Sequence, residues 1–235
     1  GLFGIKLESQ FGGLQLTSII SQEKGEGQSA TFQAGSQGNR QRIRDLDYRR
    51  RTYFFIDGGY RQNFSRRDAR GLHIADEDSL EILRIFVADR TSLQDLANIR
   101  KAVAYLEPPI SFSGGAFSAP DSSNNEIERG DFRELEFNEF AVDRNLGYIV
   151  LNTPLQSTDA LGVYYVTRNR LTGIRIEYGI VPDVNDQGIE AKLRLLKRRR
   201  ENPPDLANRD DPSKWGTWQY EWRNVYFLGK TDINP

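Results

Sequence analysis

The sequence predicts an all-β protein: one transmembrane-type β-hairpin followed by a sandwich-like β-domain with long loops. Three observations carry that expectation. The opening segment, GLFGIKLESQFGGLQLTSIISQ, alternates apolar and polar residues about a central Gly12-Gly13 pair. From Phe132 onward, short β-branched and aromatic runs recur between turn signals. Sustained helical periodicity is almost absent.

The hairpin is the most specific of the three. A two-residue turn at Gly12-Gly13 asks for positive φ at both central positions, and it fixes the strand register. Phe11 then faces Leu14, Ser9 faces Leu16, Leu7 faces Ser18 and Ile5 faces Ile20. Successive residues alternate faces, so Phe3, Ile5, Leu7, Phe11, Leu14, Leu16 and Ile20 share one apolar surface. Lys6, Glu8, Gln10, Gln15 and Thr17 fall on the opposite, mostly polar one. Each strand has about nine residues, close to the ~9–11 with which a tilted strand crosses a bilayer core. In an outer-membrane barrel the first set faces lipid and the second faces the lumen. The same pattern also suits an amphipathic hairpin at the margin of a soluble sandwich.

The remaining elements follow in order. Gly25 to Gln41 is rich in Gly, Ser and Gln and reads as a flexible exit, with a weak strand at Ser29 to Ala34. Arg42 to Tyr48 suits a short strand or turn. Thr52 to Ile56 (TYFFI) reads as a strand ended by a turn at Asp57-Gly58-Gly59, and Tyr60 to Asp76 as a polar, arginine-rich stretch. Leu80 to Ala88 is a strand. Ser92 to Arg100 suits a short helix capped by Ser92, with Asp95 at the capping-box position. A strand at Ala102 to Leu106 precedes a long loop from Ile110 to Gly130. A meander then runs through FRELEF, EFAVD, GYIVLN, LGVYYVTR, IRIEYGIV and IEAKLRLL. Lys197 to Lys214 reads as a loop, and Trp215 to Leu228 as one closing aromatic strand or two. The domain division expected is 1–27 for the hairpin and 28–235 for the rest.

Composition bounds the function. With 235 residues, 37% apolar and 28% charged, the chain can bury a real core beneath polar loops. Its 32 basic residues balance 33 acidic ones, so no global field selects nucleic acid. No apolar run of helical membrane-spanning length is present. The absence of cysteine excludes disulfides, thiolate zinc sites and a cysteine nucleophile. The chain has no methionine and opens in mid-pattern at Gly1, as expected of a fragment or a processed product.

No constellation reads as an active site, so no enzyme activity, cofactor or metal is expected. The single histidine, His73, lies in a polar stretch, and no G-x-S-x-G motif supports a triad. Asp76-Glu77-Asp78 lacks EF-hand or RTX spacing. The acids Asp131, Glu134, Glu136 and Glu139 lie in or beside one strand and read as ordinary surface charge. Three basic clusters (Arg49-Arg50-Arg51; Arg61, Arg66, Arg67 and Arg70; Lys197 to Arg200) read as charge-balanced loops. Two aromatic groups, Tyr53, Phe54 and Phe55, and Trp218, Tyr220 and Trp222, suit either core or a partner surface.

Several segments taken in order, GLFGIKLESQFGGLQLTSIISQEKGE, RRTYFFIDGGYRQNF, LEILRIFVADR, FAVDRNLGYIVLNTPLQSTDALGVYYV and WQYEWRNVYFLG, resemble the SprA/Sov family. These are giant outer-membrane translocons of the type IX secretion system, needed in some members for gliding motility. The resemblance implies a fragment of a very large single-chain barrel at the bacterial cell surface. The hairpin would supply two adjacent barrel strands, and the rest an extracellular cap insertion. The partners implied are secreted client proteins, other secretion-system subunits and outer-membrane lipid, with no nucleic acid and no catalytic residues. The alternative is a secreted cell-surface β-sandwich that binds glycan or protein as an adhesin module does; an exported hydrolase ranks below both.

Overall fold

The structure, a computed structural model, describes residues 3–11, 14–22, 29–30, 41–67, 78–88, 99–120, 126–183, 189–208, 210–211 and 214–227, those up to residue 42 by backbone alone. It is all-β, as the sequence predicts. Two compact units divide it: Gly1–Arg49 with Arg223–Pro235, and Arg50–Trp222. The second unit spans Arg50–Trp222, and its first strand starts just beyond that arginine.

In the first unit, β1 (Phe3–Phe11) and β2 (Leu14–Gln22) form an antiparallel pair. The register runs from Phe3 opposite Gln22 to Phe11 opposite Leu14, the pairing expected of a turn at residues 12–13. Those two residues lie outside the described set. Among the described residues neither strand pairs with a third. A short pair, β3 (Ser29–Ala30) with β4 (Gln41–Arg42), replaces the longer strand expected at 29–34. Later in this unit Tyr48 bridges Tyr226, and Arg49 N–H donates to Val225 O at 2.8 Å.

The second unit is built on a closed five-stranded barrel, where the sequence predicts a sandwich. Its staves are β6 (Asp78–Ala88), β7 (Ile99–Tyr105), β9 (Ile127–Glu134), β12 (Ala160–Asn169) and β14 (Ala191–Lys197). Around the ring the order is β6-β9-β7-β14-β12 and back to β6, all antiparallel except β7 with β14. β13 (Arg175–Tyr178) and β8 (Ile110–Phe112) extend the sheet outward from β12. The ends of the expected 110–130 loop are thus strands, whose Ser and Gly content hid them.

Strand alternation gives the barrel two unlike faces. Inside lie Phe86, Ala88, Ala102, Ala104, Phe132, Ala160, Ala191, Leu193 and Leu195. A barrel of five staves is narrow, so small residues must dominate its interior. Gly162 shows the limit: a Cβ there would stand 3.0 Å from Leu193 Cδ1. One end of the interior is closed by charge. Arg84 grips Glu134 through two 2.6 Å bonds, and both Arg84 and Arg100 lie over the Phe86 ring.

Outside, Leu83, Ile85, Val87, Leu161, Val163, Tyr165 and Leu196 join Phe54, Phe55, Ile56, Phe140, Ile149 and Leu151 in a larger core. The latter six come with a three-stranded sheet, β10 (Phe140–Asp143), β11 (Tyr148–Leu151) and β5 (Tyr53–Phe55). The predicted meander is therefore split. The β10–β11 hairpin joins β5, while β12 belongs to the barrel.

After β5 the expected turn is instead the start of a helix, α1 (Gly58–Phe64), with Asp57 as N-cap accepting from Tyr60 N–H at 2.9 Å. The paired glycines disguised it. Gly147, in the β10–β11 turn with φ +62°, leaves room for this helix. A Cβ there would fall 2.0 Å from Tyr60 Cγ. The helix expected at 92–100 lies outside the described residues except for its last two, which open β7.

The closing aromatic strand is a further correction. Residues Gly216–Gln219 form a 3-10 turn, and among the described residues after it the pairing consists of isolated bridges, Glu221 to Phe54 and Tyr226 to Tyr48. The bridge at Glu221 is flanked by Phe55 N–H to Tyr220 O at 2.8 Å and Trp222 N–H to Tyr53 O at 2.9 Å. The chain thus enters and leaves the second unit on adjacent antiparallel segments.

Candidate functional site

Two features of the molecule bear on function: the hairpin and a polar cavity in the second unit. In the hairpin, the residues expected to face lipid (Phe3, Ile5, Leu7, Phe11, Leu14, Leu16, Ile20) occupy register positions on one face. Those expected to face a lumen (Lys6, Glu8, Gln10, Gln15, Thr17) occupy positions on the other. The described residues include no helix long and apolar enough to cross a membrane, which leaves crossing by strands untouched.

The aromatic groups belong largely to the interior. Phe54, Phe55 and Tyr220 are buried, and Trp222 packs against Phe55, Phe64 and Tyr148 at centroid distances of 5.2, 4.5 and 5.4 Å. Tyr53 meets Trp222 edge-on, and Trp218 is half-buried in the 3-10 turn. Trp218, Tyr220 and Trp222 do not share a strand face, because no strand runs through them. His73 lies outside the described residues, and among those described no group of three or more potential ligands could hold a metal.

Several of the acids and bases flagged in the sequence make structural contacts. Arg133 binds Glu139 in a fork at 2.8 and 2.9 Å. Arg198 and Arg199 reach Glu126 and Glu128. Lys197, which reads as a loop residue, is buried and donates to three carbonyls, those of Ser157, Asp159 and Arg198. Burial pushes its pKa down.

The cavity encloses about 480 Å³ and opens beside α1. β14 supplies Arg194, β12 Thr167, and β13 Tyr178; Glu107 follows β7, and Asp78 opens β6. Asp57, Gln62 and Asn63 come from the capped helix, and Gln219 and Tyr220 from the closing turn. Among its charged lining residues Arg194 is the most deeply buried. The barrel's alternation puts this residue on the outer face, where only 6% of it is exposed. Its guanidinium lies 5.5 Å from the Tyr178 ring centroid and 5.9 Å from that of Tyr165. Those two rings stack at 4.3 Å.

The hydrogen bonds around Arg194 are unevenly distributed. Nη1 donates to Tyr220 Oη at 3.1 Å, and Nη2 stands 3.7 Å from Glu107 Oε2, beyond hydrogen-bond range. Nε makes no hydrogen bond. Burial alone would push the guanidinium's pKa down. The oxygens of Tyr165 and Tyr220 and the carboxylates of Asp57 and Glu107 outweigh it, so the group is held above its ordinary value and stays charged. Tyr165 donates to Asp57 Oδ2 at 3.0 Å, which ties the cation's stacking partner to the helix cap. Burial holds the phenols of Tyr165, Tyr178 and Tyr220 above their usual range.

Nothing in the sequence-level site reading pointed to Arg194. A usable signal existed, since Arg194 is a charge flanked by leucines in a run otherwise read as core strand. No protein-family model and no curated protein sequence matches this chain.

Proposed function

We propose that this chain is part of a protein-export channel in a bacterial outer membrane, a translocon of the SprA/Sov type. In this reading β1 and β2 are neighbouring staves of the channel wall. Arg50–Trp222 is a soluble domain inserted between barrel strands, on the extracellular side because short turns are periplasmic in such barrels. Its partners are secreted clients, other secretion subunits and lipid.

The observation that carries the reading is the hairpin. Two strands of nine residues pair over their full length, with apolar register positions on one face and polar ones on the other. An isolated two-stranded hairpin is marginal in water. A closed barrel supplies both lipid for the apolar face and neighbours for the two outer edges. The adjacent chain segments at 53–55 and 220–222 support the insertion, because an inserted domain must start and finish side by side. Transport itself rests on the resemblance of the quoted segments.

Substitution on the two faces of the hairpin tests the proposal. Leu7→Arg or Ile20→Arg in the parent protein is expected to block outer-membrane assembly, since a mid-bilayer arginine costs ~2–4 kcal/mol. Lys6→Gln and Glu8→Gln should assemble normally. Assembly is read by membrane fractionation and resistance to unfolding in cold detergent. Equal tolerance of both sets would overturn the membrane assignment.

A further inference from the structure

β13 and β8 carry the barrel sheet outward from β12 as a short wing, and the register divides the wing's side chains into two sets. Ile176 pairs with Phe112, and Tyr178 with Ile110. Alternation puts these four on one face, with Arg175, Glu177 and Ser111 on the other. Ile174, whose carbonyl still accepts from Asn169 N–H at 2.8 Å, continues the first face. That face is apolar and open: Phe112 is 62% exposed and Ile174 46%, with Ile110 and Ile176 half-buried. The outer edge of β8 is closed to an added strand. Ile110 donates its N–H to Ser118 Oγ at 3.0 Å and accepts from Ser118 N–H at 2.8 Å, and Phe112 O accepts from Gly115 N–H at 2.9 Å. A partner therefore meets the wing by side chains instead of by backbone pairing.

The apolar face runs into the cavity beside α1 at two points. Tyr178 lines the cavity and shares a row with Ile110, and Glu107, also in the lining, precedes Ile110 by three residues. Three carboxylates (Asp57, Asp78, Glu107) and one guanidinium line this cavity, so its walls are net negative. Glu107 presents the charge most open to solvent, with its side chain 57% exposed, whereas Arg194 is 6% exposed. Such a lining attracts a cation and repels the phosphates of an anionic lipid surface. The neighbouring face needs apolar cover. In an extended polypeptide, residues two apart point the same way at a spacing of about 6.6 Å, the spacing between the Tyr178–Ile110 and Ile176–Phe112 rows. We propose that this surface docks an extended segment of another polypeptide. Its lysine or arginine enters the cavity beside Glu107, and apolar side chains two and four residues along cover Phe112 and Ile174. This docking rests on neither the hairpin nor the export reading.

Fluorescence anisotropy of a dye-labelled peptide, titrated with the 235-residue chain in micelles of a non-ionic detergent, tests this. The probe is the hexapeptide KSLSLS with blocked ends, and ESLSLS and KSSSSS are its controls. KSLSLS is expected to bind at least tenfold more tightly than either control. Phe112→Ser should weaken it about tenfold, and Glu107→Gln about threefold, because an exposed charge pair contributes less than apolar cover. Both residues are exposed, so the circular dichroism of the wild type should persist; Ile174→Ser replaces Phe112→Ser should it not. Failure of KSLSLS to bind, equal binding of ESLSLS, or unchanged binding in Phe112→Ser would each overturn the proposal. So would a dimer of the chain alone that Phe112→Ser dissociates in sedimentation, which would make the occupant a second copy. Flotation on detergent-free vesicles of phosphatidylcholine and phosphatidylglycerol that Phe112→Ser abolishes would equally overturn it, in favour of a membrane.

Discussion

The hairpin and the folded unit are both antiparallel sheet, yet they solve the problem of the second face differently. Strand β12 buries both of its faces: Leu161, Val163 and Tyr165 against the outer core, Ala160 and Gly162 inside the barrel. The hairpin has one apolar set of register positions and no third strand among the described residues to cover it. One region therefore carries its own solvent-free interior. For the other, the proposed reading assigns that cover to lipid and neighbouring barrel strands.

The sharpest way to separate the two is to damage the folded unit alone. Phe86 is one of the few large side chains in a barrel interior otherwise rich in alanine, and it is fully buried. Phe86→Ala is expected to destabilise the unit by ~3–5 kcal/mol, because alanine neighbours cannot collapse into the space. All three tryptophans lie within Arg50–Trp222, so tryptophan fluorescence during urea unfolding reports this unit specifically. Leu7→Arg makes the converse test. It should leave that unfolding curve unchanged while costing ~2–4 kcal/mol in membrane assembly. A shared transition in both variants would dissolve the distinction between the regions.

The same contrast explains what could be read from sequence. The hairpin was legible residue by residue, because strict alternation with a Gly-Gly turn leaves one register available. In the folded unit the individual strands were legible but their assembly was not. A run such as ALGVYYVTRN, apolar on both faces, fits a sandwich or a small barrel alike. The ring closes through the β12–β14 and parallel β7–β14 pairings, which join strands distant in sequence and leave no local mark. Local chemistry misled in two places. Gly58-Gly59 reads as a turn until Asp57 caps a helix, and WGTWQYEW reads as a strand until Gly216 takes φ +54°. The cavity escaped notice because its residues come from seven separated segments, with Arg194 visible only as a charge among leucines.

A smaller effect distinguishes the regions by pH. Tyr165 and Tyr220 are buried, and burial holds their pKa above the ordinary value of 10.0. They stay protonated in the folded unit while the unfolded chain ionises, so the folded state binds more protons. Their contribution is complete below about pH 10 and is lost as pH rises toward their folded values, at roughly 1.4 kcal/mol per pH unit for each. Lys197 acts oppositely: its depressed pKa adds stability up to its ordinary value of 10.5. The tyrosine slope should therefore emerge cleanly above pH 10.5 in urea titrations of the folded unit. Tyr165→Phe should remove about one tyrosine's share of it, and an unchanged slope would mean that Tyr165 is not the protected group.

The weakest of these effects lies at the surface of the folded unit, in the Arg133–Glu139 fork. Hydrogen bonds from Arg133, aided by the Glu136 N–H, hold the Glu139 carboxyl below its usual range against a smaller effect of burial. A depressed carboxylate contributes stability above its unfolded pKa, near 4.5, and loses it as pH falls toward the folded value. Glu139 is partly exposed, so salt and water screen the pair. Glu139→Gln is expected to cost only ~0.2–1 kcal/mol at neutral pH and low salt, and less in high salt. The difference from wild type should shrink as pH falls below 4.5 and vanish only once the depressed folded value is passed and the carboxylate is protonated in both states. A salt-independent loss would instead assign Glu139 to packing, joining it to the tightly filled part of the unit.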